Sequence, residues 1–249
     1  MINVLVNGCN GKMGQEVVNQ IEENKDFLVI AGFDRENLGN TSYPVYNTFS
    51  SITVKPDVII DFSVPVATLN ILEYAKANSI PVVIATTGFS EEQLKKVEEY
   101  SNYIPIFKSA NTSYDINLMA KLLEQIAPIL RECDIEIIET HHNRKIDAPS
   151  GTALLLADSI NKSLDNSMEY NFDRFSSREK RKSNEIGFPS IRGGNIVGEH
   201  TVKFFSPFET FEISHTSYSR SVFADGALKA AKFIIHQKPG LYNMSNLIK

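Results

Sequence analysis

The feature that most constrains the fold is an alternation. Short, continuously apolar runs take turns with stretches of helical periodicity from residue 2 to residue 107. Ile2 to Val6, Phe27 to Phe33, Val58 to Phe62, Pro81 to Ala85 and Ile104 to Phe107 read as strands. Lys12 to Glu23, Pro65 to Ala77 and Ser90 to Tyr100 read as helices. Pro65 suits a first helical turn, and Ser90 followed by Gln93 is a capping box. A strand buried on both faces has no reason to alternate polar with apolar residues. Continuous apolarity therefore predicts a parallel sheet with helices on both sides.

The second half has a different texture. Ile116 to Leu130 and Thr152 to Ser163 read as helices, and Asp134 to Glu139 as a strand. A polar stretch, His141 to Gly151, lies between them. Thr201 to Phe205 and Phe211 to His215 read as strands, and Ser221 to His236 as a final helix before a short tail. Residues 164–190 are expected to form a long loop with one helix. The expected fold class is α/β: a Rossmann-type parallel-sheet domain, ending near residue 112, plus an α+β domain with a mixed sheet. Periodicity alone does not say on which half the last helix packs.

Composition excludes several roles. The 249 residues carry a net charge of −5, and the densest basic stretch, Arg174 to Lys182, is interrupted by Glu179. That run reads as a solvated loop, and no nucleic-acid partner is expected. No apolar run approaches the roughly 20 residues that span a membrane. The opening MINVLVNG lacks a basic segment and enters a strand, so no signal peptide is expected. The two cysteines, Cys9 and Cys133, lack metal-ligand spacing and suit a reducing cytoplasm.

Gly8, Gly11 and Gly14 follow the first strand and open the first helix. Glycines there let the backbone approach a pyrophosphate, which the helix N-terminus favours. The spacing differs from G-x-G-x-x-G, with Asn10 in the middle position; Asn tolerates left-handed backbone. Asp34 ends the second strand about 20 residues on, where a ribose-binding carboxylate belongs. Arg35 follows it. An acid favours NAD and an adjacent arginine can pair with the 2′-phosphate of NADP, so NADH and NADPH both stay open. The competing readings are a structural turn and a polar loop pair.

The most informative stretch runs from Glu139 to Ala153: Glu-Thr-His-His-Asn-Arg-Lys-Ile-Asp-Ala-Pro-Ser-Gly-Thr-Ala. It gathers cations after a strand and ends where helix N–H groups can receive a carboxylate. Such a set suits a small dianion and a general acid. A metal site and an idle surface His-His pair are the alternatives; no third ligand stands at helical spacing, and no metal is expected.

These residues also carry a resemblance. His141-His142-x-x-Lys145-x-Asp-Ala-Pro-Ser-Gly151-Thr152-Ala resembles the signature of the 4-hydroxy-tetrahydrodipicolinate reductase (dihydrodipicolinate reductase) family. Gly8-Cys-Asn-Gly-Lys-Met13-Gly14 resembles its nucleotide loop. Asp61-Phe62-Ser63-x-Pro65, Thr86-Thr87-Gly88-Phe89 and Ser109-Ala-Asn111-Thr112-Ser resemble further segments. So do Arg192-Gly-Gly-Asn-Ile-Val-Gly198-Glu199-His200-Thr and the stretch holding His215 and Arg220.

The resemblance implies the reduction of a cyclic dicarboxylate by NADH or NADPH with loss of water, in lysine and diaminopimelate biosynthesis. It implies His141 and Lys145 as proton-transfer groups, unranked, and His142, Gly151 and Thr152 as substrate carboxylate binders. Gly8, Cys9, Asn10, Gly11, Lys12, Met13, Asp34 and Arg35 would bind the dinucleotide. Phe62, Ala85, Thr86, Thr87, Ser109, Ala110, Asn111 and Thr112 would line the nicotinamide side. It further implies residues 1–112 and 221–249 as the dinucleotide domain, 113–220 as the substrate domain, and a homotetramer built on the second sheet. Ala85 and Asp115 depart from the family's common glycines. Two rival readings exist. A semialdehyde dehydrogenase needs a nucleophilic cysteine, for which Cys133 is poorly placed. A dinucleotide-sensing module would need no proton donor.

Overall fold

The computed structural model describes residues 1–37, 39 and 41–248; Leu38, Asn40 and Lys249, the last residue of the expected dinucleotide domain, lie outside the described residues. In chain order the elements begin β1 (Ile2–Asn7), α1 (Lys12–Glu22), β2 (Phe27–Phe33), β3 (Val45–Tyr46), β4 (Val58–Asp61), α2 (Pro65–Asn78), β5 (Val82–Ile84), α3 (Glu91–Ser101) and β6 (Pro105–Lys108). They continue α4 (Tyr114–Ile126), β7 (Asp134–His141), α5 (Gly151–Ser163), β8 (Glu169–Asn171), α6 (Arg174–Ser177), β9 (Glu185–Gly187), β10 (Ser190–Arg192), β11 (Gly198–Phe205) and β12 (Thr210–Ser217). The chain closes with α7 (Ser221–Ile234), β13 (Gly240–Tyr242) and α8 (Met244–Leu247). Two compact units result: Met1–Tyr114 with Arg220–Lys249, and Asp115–Ser219.

The first unit holds a seven-stranded sheet among the described residues, in the order β13-β6-β5-β4-β1-β2-β3. Every pairing in it is parallel. The order reverses between β1 and β4, which is the crevice where such sheets bind dinucleotides. Val4, Val6, Ile60 and Val83 face a core shared with α1 and α7. Leu5, Ile59, Val82 and Ile84 face the opposite core, under α2 and α3. Successive strand residues feed opposite cores, so none of these positions tolerates a polar side chain. The Ser90–Gln93 box forms: Ser90 Oγ accepts from the Gln93 amide at 3.2 Å and the Gln93 side chain accepts from the Ser90 amide at 2.8 Å.

The second unit holds a mixed sheet, β12-β11-β7-β9-β8, with β10 also on β7. Ile135 and Ile137 of β7 and Val202 and Phe204 of β11 pack against Met119 and Leu123 of α4 and Leu156 and Ile160 of α5. Residues alternate along β7, so Glu139 and His141 lie on this same helix-covered face.

The structure overturns two expectations and adds a strand and a helix to the short tail. Residues 164–190 contain β8, α6 and β9 and the first residue of β10 rather than a loop with one helix. Strands of three residues are too short to show periodicity, and β9 is held by parallel pairing to Ile135 and Glu136, far away in sequence. The basic run is partly structural: Arg181 donates to the Ile135 and Glu185 carbonyls at 3.0 and 2.6 Å, and Arg174 pairs with Glu185. The tail forms β13, which extends the first sheet beside β6, and then α8.

Candidate active site

In the first unit, Asn7 ends β1 and the chain turns at Gly8, whose φ is +80°. A side chain at Gly8 would also meet the Phe62 carbonyl at 2.9 Å. A Cβ on Gly14 would stand 2.1 Å from the Gly8 carbonyl, so α1 can enter this close only with glycine there. Gly11 is the residue before α1 and its amide donates to the Gly8 carbonyl at 3.0 Å. The result is a cradle at a helix N-terminus, the shape a pyrophosphate fits.

Asp34 follows β2 and is held toward this turn. Its carboxylate accepts from the Asn10 amide at 2.9 Å and from the Arg35 amide at 2.8 Å. Asn10, Gly11, Asp34, Arg35, Phe62 and Val64 line one cleft of about 490 Å³. Lys12 and Arg35 are exposed, and Met13 packs partly on the core. Cys9 differs: it is 2% exposed and lies under Gly32 and Tyr43, so only its backbone reaches the turn. Burial pushes its thiol up to about 11.

The nicotinamide-side expectations divide. Thr86 is buried, and its hydroxyl donates to Asp61 at 2.9 Å. Asp61 also accepts from Asn7 at 2.7 Å, Ser63 at 2.5 Å and Thr68 at 2.6 Å. Burial raises its pKa, against the pull of these four donors. Asp61 thus ties together the ends of β1, β4 and β5, a role the sequence did not single out. Thr87 and Ala110 are exposed, and Ala85 and Phe62 half-buried. Ser109 donates to the Asn111 carbonyl at 2.6 Å, and Thr112 to the Phe223 carbonyl of α7 at 2.7 Å.

In the second unit the polar centre is Glu139, with no exposed surface. Arg192 grips its carboxylate with two N–H groups at 2.7 and 2.8 Å. The ring of His141 meets it through Nδ1 at 2.5 Å, and the Ser150 amide donates at 3.3 Å. Burial alone would raise the Glu139 pKa; hydrogen bonds from Arg192, Ser190 and His141 outweigh it and hold the carboxyl below its ordinary value. The His141 pKa is lowered as well. Burial lowers its pKa, Glu139 opposes that, and Lys145 and Arg192 add to the lowering.

Ser150 is also the N-cap of α5, its hydroxyl accepting from the Ala153 amide at 3.2 Å. The same hydroxyl lies 2.9 Å from His200 Nε2. His200 is 4% exposed, and burial drives its pKa down to about 3, so it is neutral. Gly151 and Thr152 stand in the first turn of α5, at the positive end of the helix dipole. Lys145 pairs with Asp147 at 2.9 Å, and His142 is half-buried just past β7. Asp115 lies in the first turn of α4, where its charge suits the helix dipole, and it acts on His215 rather than on His141.

A Rossmann-ordered unit with a dinucleotide cradle, in one chain with a unit carrying a carboxylate-supported histidine, has the make-up of a nicotinamide-dependent oxidoreductase. Known proteins narrow this class. Residues 2–112 match the family model "Dihydrodipicolinate reductase, N-terminus" and residues 115–248 match "Dihydrodipicolinate reductase, C-terminus". The chain belongs to the dihydrodipicolinate reductase family. It is 52% identical to the 4-hydroxy-tetrahydrodipicolinate reductase of Caldanaerobacter subterraneus subsp. tengcongensis, over 100% of this chain and 99% of that one. Identity to the enzyme of the same name from Clostridium novyi is 45%, covering 100% and 99%. The dipicolinate-bound dihydrodipicolinate reductase from Paenisporosarcina sp. TG-14 superposes with a TM-score of 0.84 at 27% identity, covering all of both chains. Among the described residues, no helix is long and apolar enough to cross a membrane.

Sequence reasoning missed Glu139, Ser150, Arg192 and His200 as site members, although all four lie inside the quoted motifs. The available signal was their period. Glu139 and His141 are two apart on one strand and must share a face. Arg192 is beyond such reasoning, because it arrives on β10, paired with Glu139 to His141.

Proposed function

We propose that this chain reduces 4-hydroxy-tetrahydrodipicolinate to tetrahydrodipicolinate with loss of water, using NADH or NADPH. The observation that carries the reading is the buried Glu139–His141 pair beside the N-terminus of α5, with Lys145 in the intervening loop. The substrate is a ring with two carboxylates. His142, Lys145 and the opening amides of α5 at Gly151 and Thr152 would hold that dianion. The net reaction takes up one hydride and one proton and releases one water. When bound, the reduced nicotinamide supplies the hydride. The proton passes through His141 Nε2, with Lys145 as second donor.

The turn from Gly8 to Met13 would hold the pyrophosphate, Asp34 the ribose hydroxyls and Arg35 a 2′-phosphate. The test is loss of nicotinamide absorbance when the purified chain meets synthase-generated substrate, measured with NADH and NADPH on wild type and on Arg35→Ala. Turnover with both is expected, and Arg35→Ala should raise KM for NADPH while sparing NADH. Absence of turnover with either would end this reading; equal effects on both would remove Arg35 from cofactor choice.

The sheet of the second unit supports a reading of the assembly. Ile138 and Thr140 of β7, Thr201 and Lys203 of β11 and Glu212 and Ser214 of β12 share the sheet face opposite α4 and α5 and keep exposed surface. Lys203 and Glu212 pair at 2.8 Å across it, and Thr201 and Ser214 share a hydrogen bond. We propose a homotetramer joined through this face. Sedimentation at the mass of four chains is the expected result, and a monomer at micromolar concentration would dismiss it.

A further inference from the structure

The buried carboxylate of Glu139 is met by Arg192, by the His141 ring and by the Ser150 amide. Arg192 reaches it with a two-pronged fork, and one of those nitrogens also donates to the Asp147 carbonyl at 2.6 Å. An arginine-gripped carboxylate stays ionised and can only accept. The His141 Nδ1 that meets it at 2.5 Å therefore carries its proton, whatever the charge on the ring. Nε2 is left as the atom that can exchange a proton. It points at Gly198 of β11, where a Cβ would stand 3.1 Å away. Glycine at 198 keeps that nitrogen uncrowded.

The surrounding charges explain why the carboxylate matters. Arg192 on β10 and Lys145 in the loop between β7 and α5 both oppose a positive ring. Asp147 is engaged with Lys145. His200 on β11 meets the ring edge-on with centroids 5.1 Å apart and contributes no negative charge; His215, its cross-strand neighbour on β12, contributes none either. Among the described residues, Glu139 is the anion that touches the imidazole. Without it, burial and two cations would keep the ring neutral, and a neutral ring with its proton on Nδ1 has nothing to give from Nε2.

We propose that Glu139, clamped by Arg192, is a positioning residue for the reaction: it turns the His141 Nδ1–H inward and stabilises the imidazolium formed when Nε2 takes up a proton. The inference rests on the proposed role of His141 in proton transfer. It assigns Glu139 no contact with substrate.

The test is the pH dependence of kcat in Glu139→Gln and Glu139→Asp. A protonated His141 is needed, so activity falls as pH rises through its pKa. Removing the anion lowers that pKa, and the alkaline fall-off in Glu139→Gln should begin at lower pH than in wild type. At neutral pH kcat should drop by roughly 10²-fold, with KM for the substrate little changed. Glu139→Asp keeps the charge at longer reach, and its fall-off should lie between the two. Should the glutamine variant not fold, a fall-off displaced to lower pH in Glu139→Asp supports the proposal and an undisplaced one overturns it. If the glutamine variant folds with the fall-off at its wild-type position, Glu139 is merely structural. Wild-type turnover in His141→Gln would instead strike the reading underneath, and the two failures are thereby told apart.

Discussion

His141→Gln is expected to lower turnover by roughly 10²–10⁴-fold while the chain stays folded. The reason is chemical rather than structural. His141 ends β7, where its backbone pairs with Arg192, and its side chain lies outside the hydrophobic cluster built on Ile135, Ile137 and Val202. Glutamine is similar in length and can still present an amide to Glu139. It cannot take up and release a proton near neutral pH, which is what the imidazole contributes. Steady-state kcat with a reduced dinucleotide, alongside a melting curve, measures the effect. Near-normal turnover in the folded variant would take His141 out of the chemistry and leave Lys145 as the donor.

Gly226→Ala should lower stability by about 3 kcal/mol, near the top of the usual range for overpacking. Gly226 lies inside α7, where alanine by itself would add about 1 kcal/mol through helix propensity. Packing reverses the sign. A Cβ there would stand 1.6 Å from the Thr112 carbonyl oxygen and 2.7 Å from its carbon. Both are backbone atoms, and Thr112 is itself buried and bonded to the Phe223 carbonyl of the same helix. Neither side can fold away, so α7 must lift and carry with it its own fully buried Ala224, Ala227 and Ala231. For a chain of this size the loss corresponds to a fall in Tm of roughly 6–12 °C. A Tm equal to or above wild type would show that the helix is less tightly seated than the structure has it.

Local chemistry made the parallel unit readable. Each of its longer strands is a continuous apolar run because both faces are buried, and α2 and α3 are marked by a proline and a capping box. The glycine turn was legible for the same reason: a Cβ at Gly8 or Gly14 collides with backbone within a few residues or one strand away. The 164–190 region was not legible. Its strands have three residues each, and what holds them is pairing to β7 and the grip of Arg174 and Arg181 on Glu136 and Glu185. None of that is written in local periodicity. The extent of β7 shows the same limit: Thr140 and His141 join the strand because β10 and β11 pair with it there.

The amino-acid order alone singled out the candidate residues for chemistry in this protein: the histidines and lysine at and just past the end of β7, the glycines and acid around the first two strands. Those are properties of residue type and near spacing, which survive without knowledge of the fold. Only the tertiary structure decided which of them act through one another. Glu139 became the partner of His141 because a strand's period places both on one face, and Arg192 reached them from some fifty residues away through parallel pairing. A carboxylate's ionisation and a ring's proton depend on who stands within three ångströms, and that is settled by packing rather than by sequence distance.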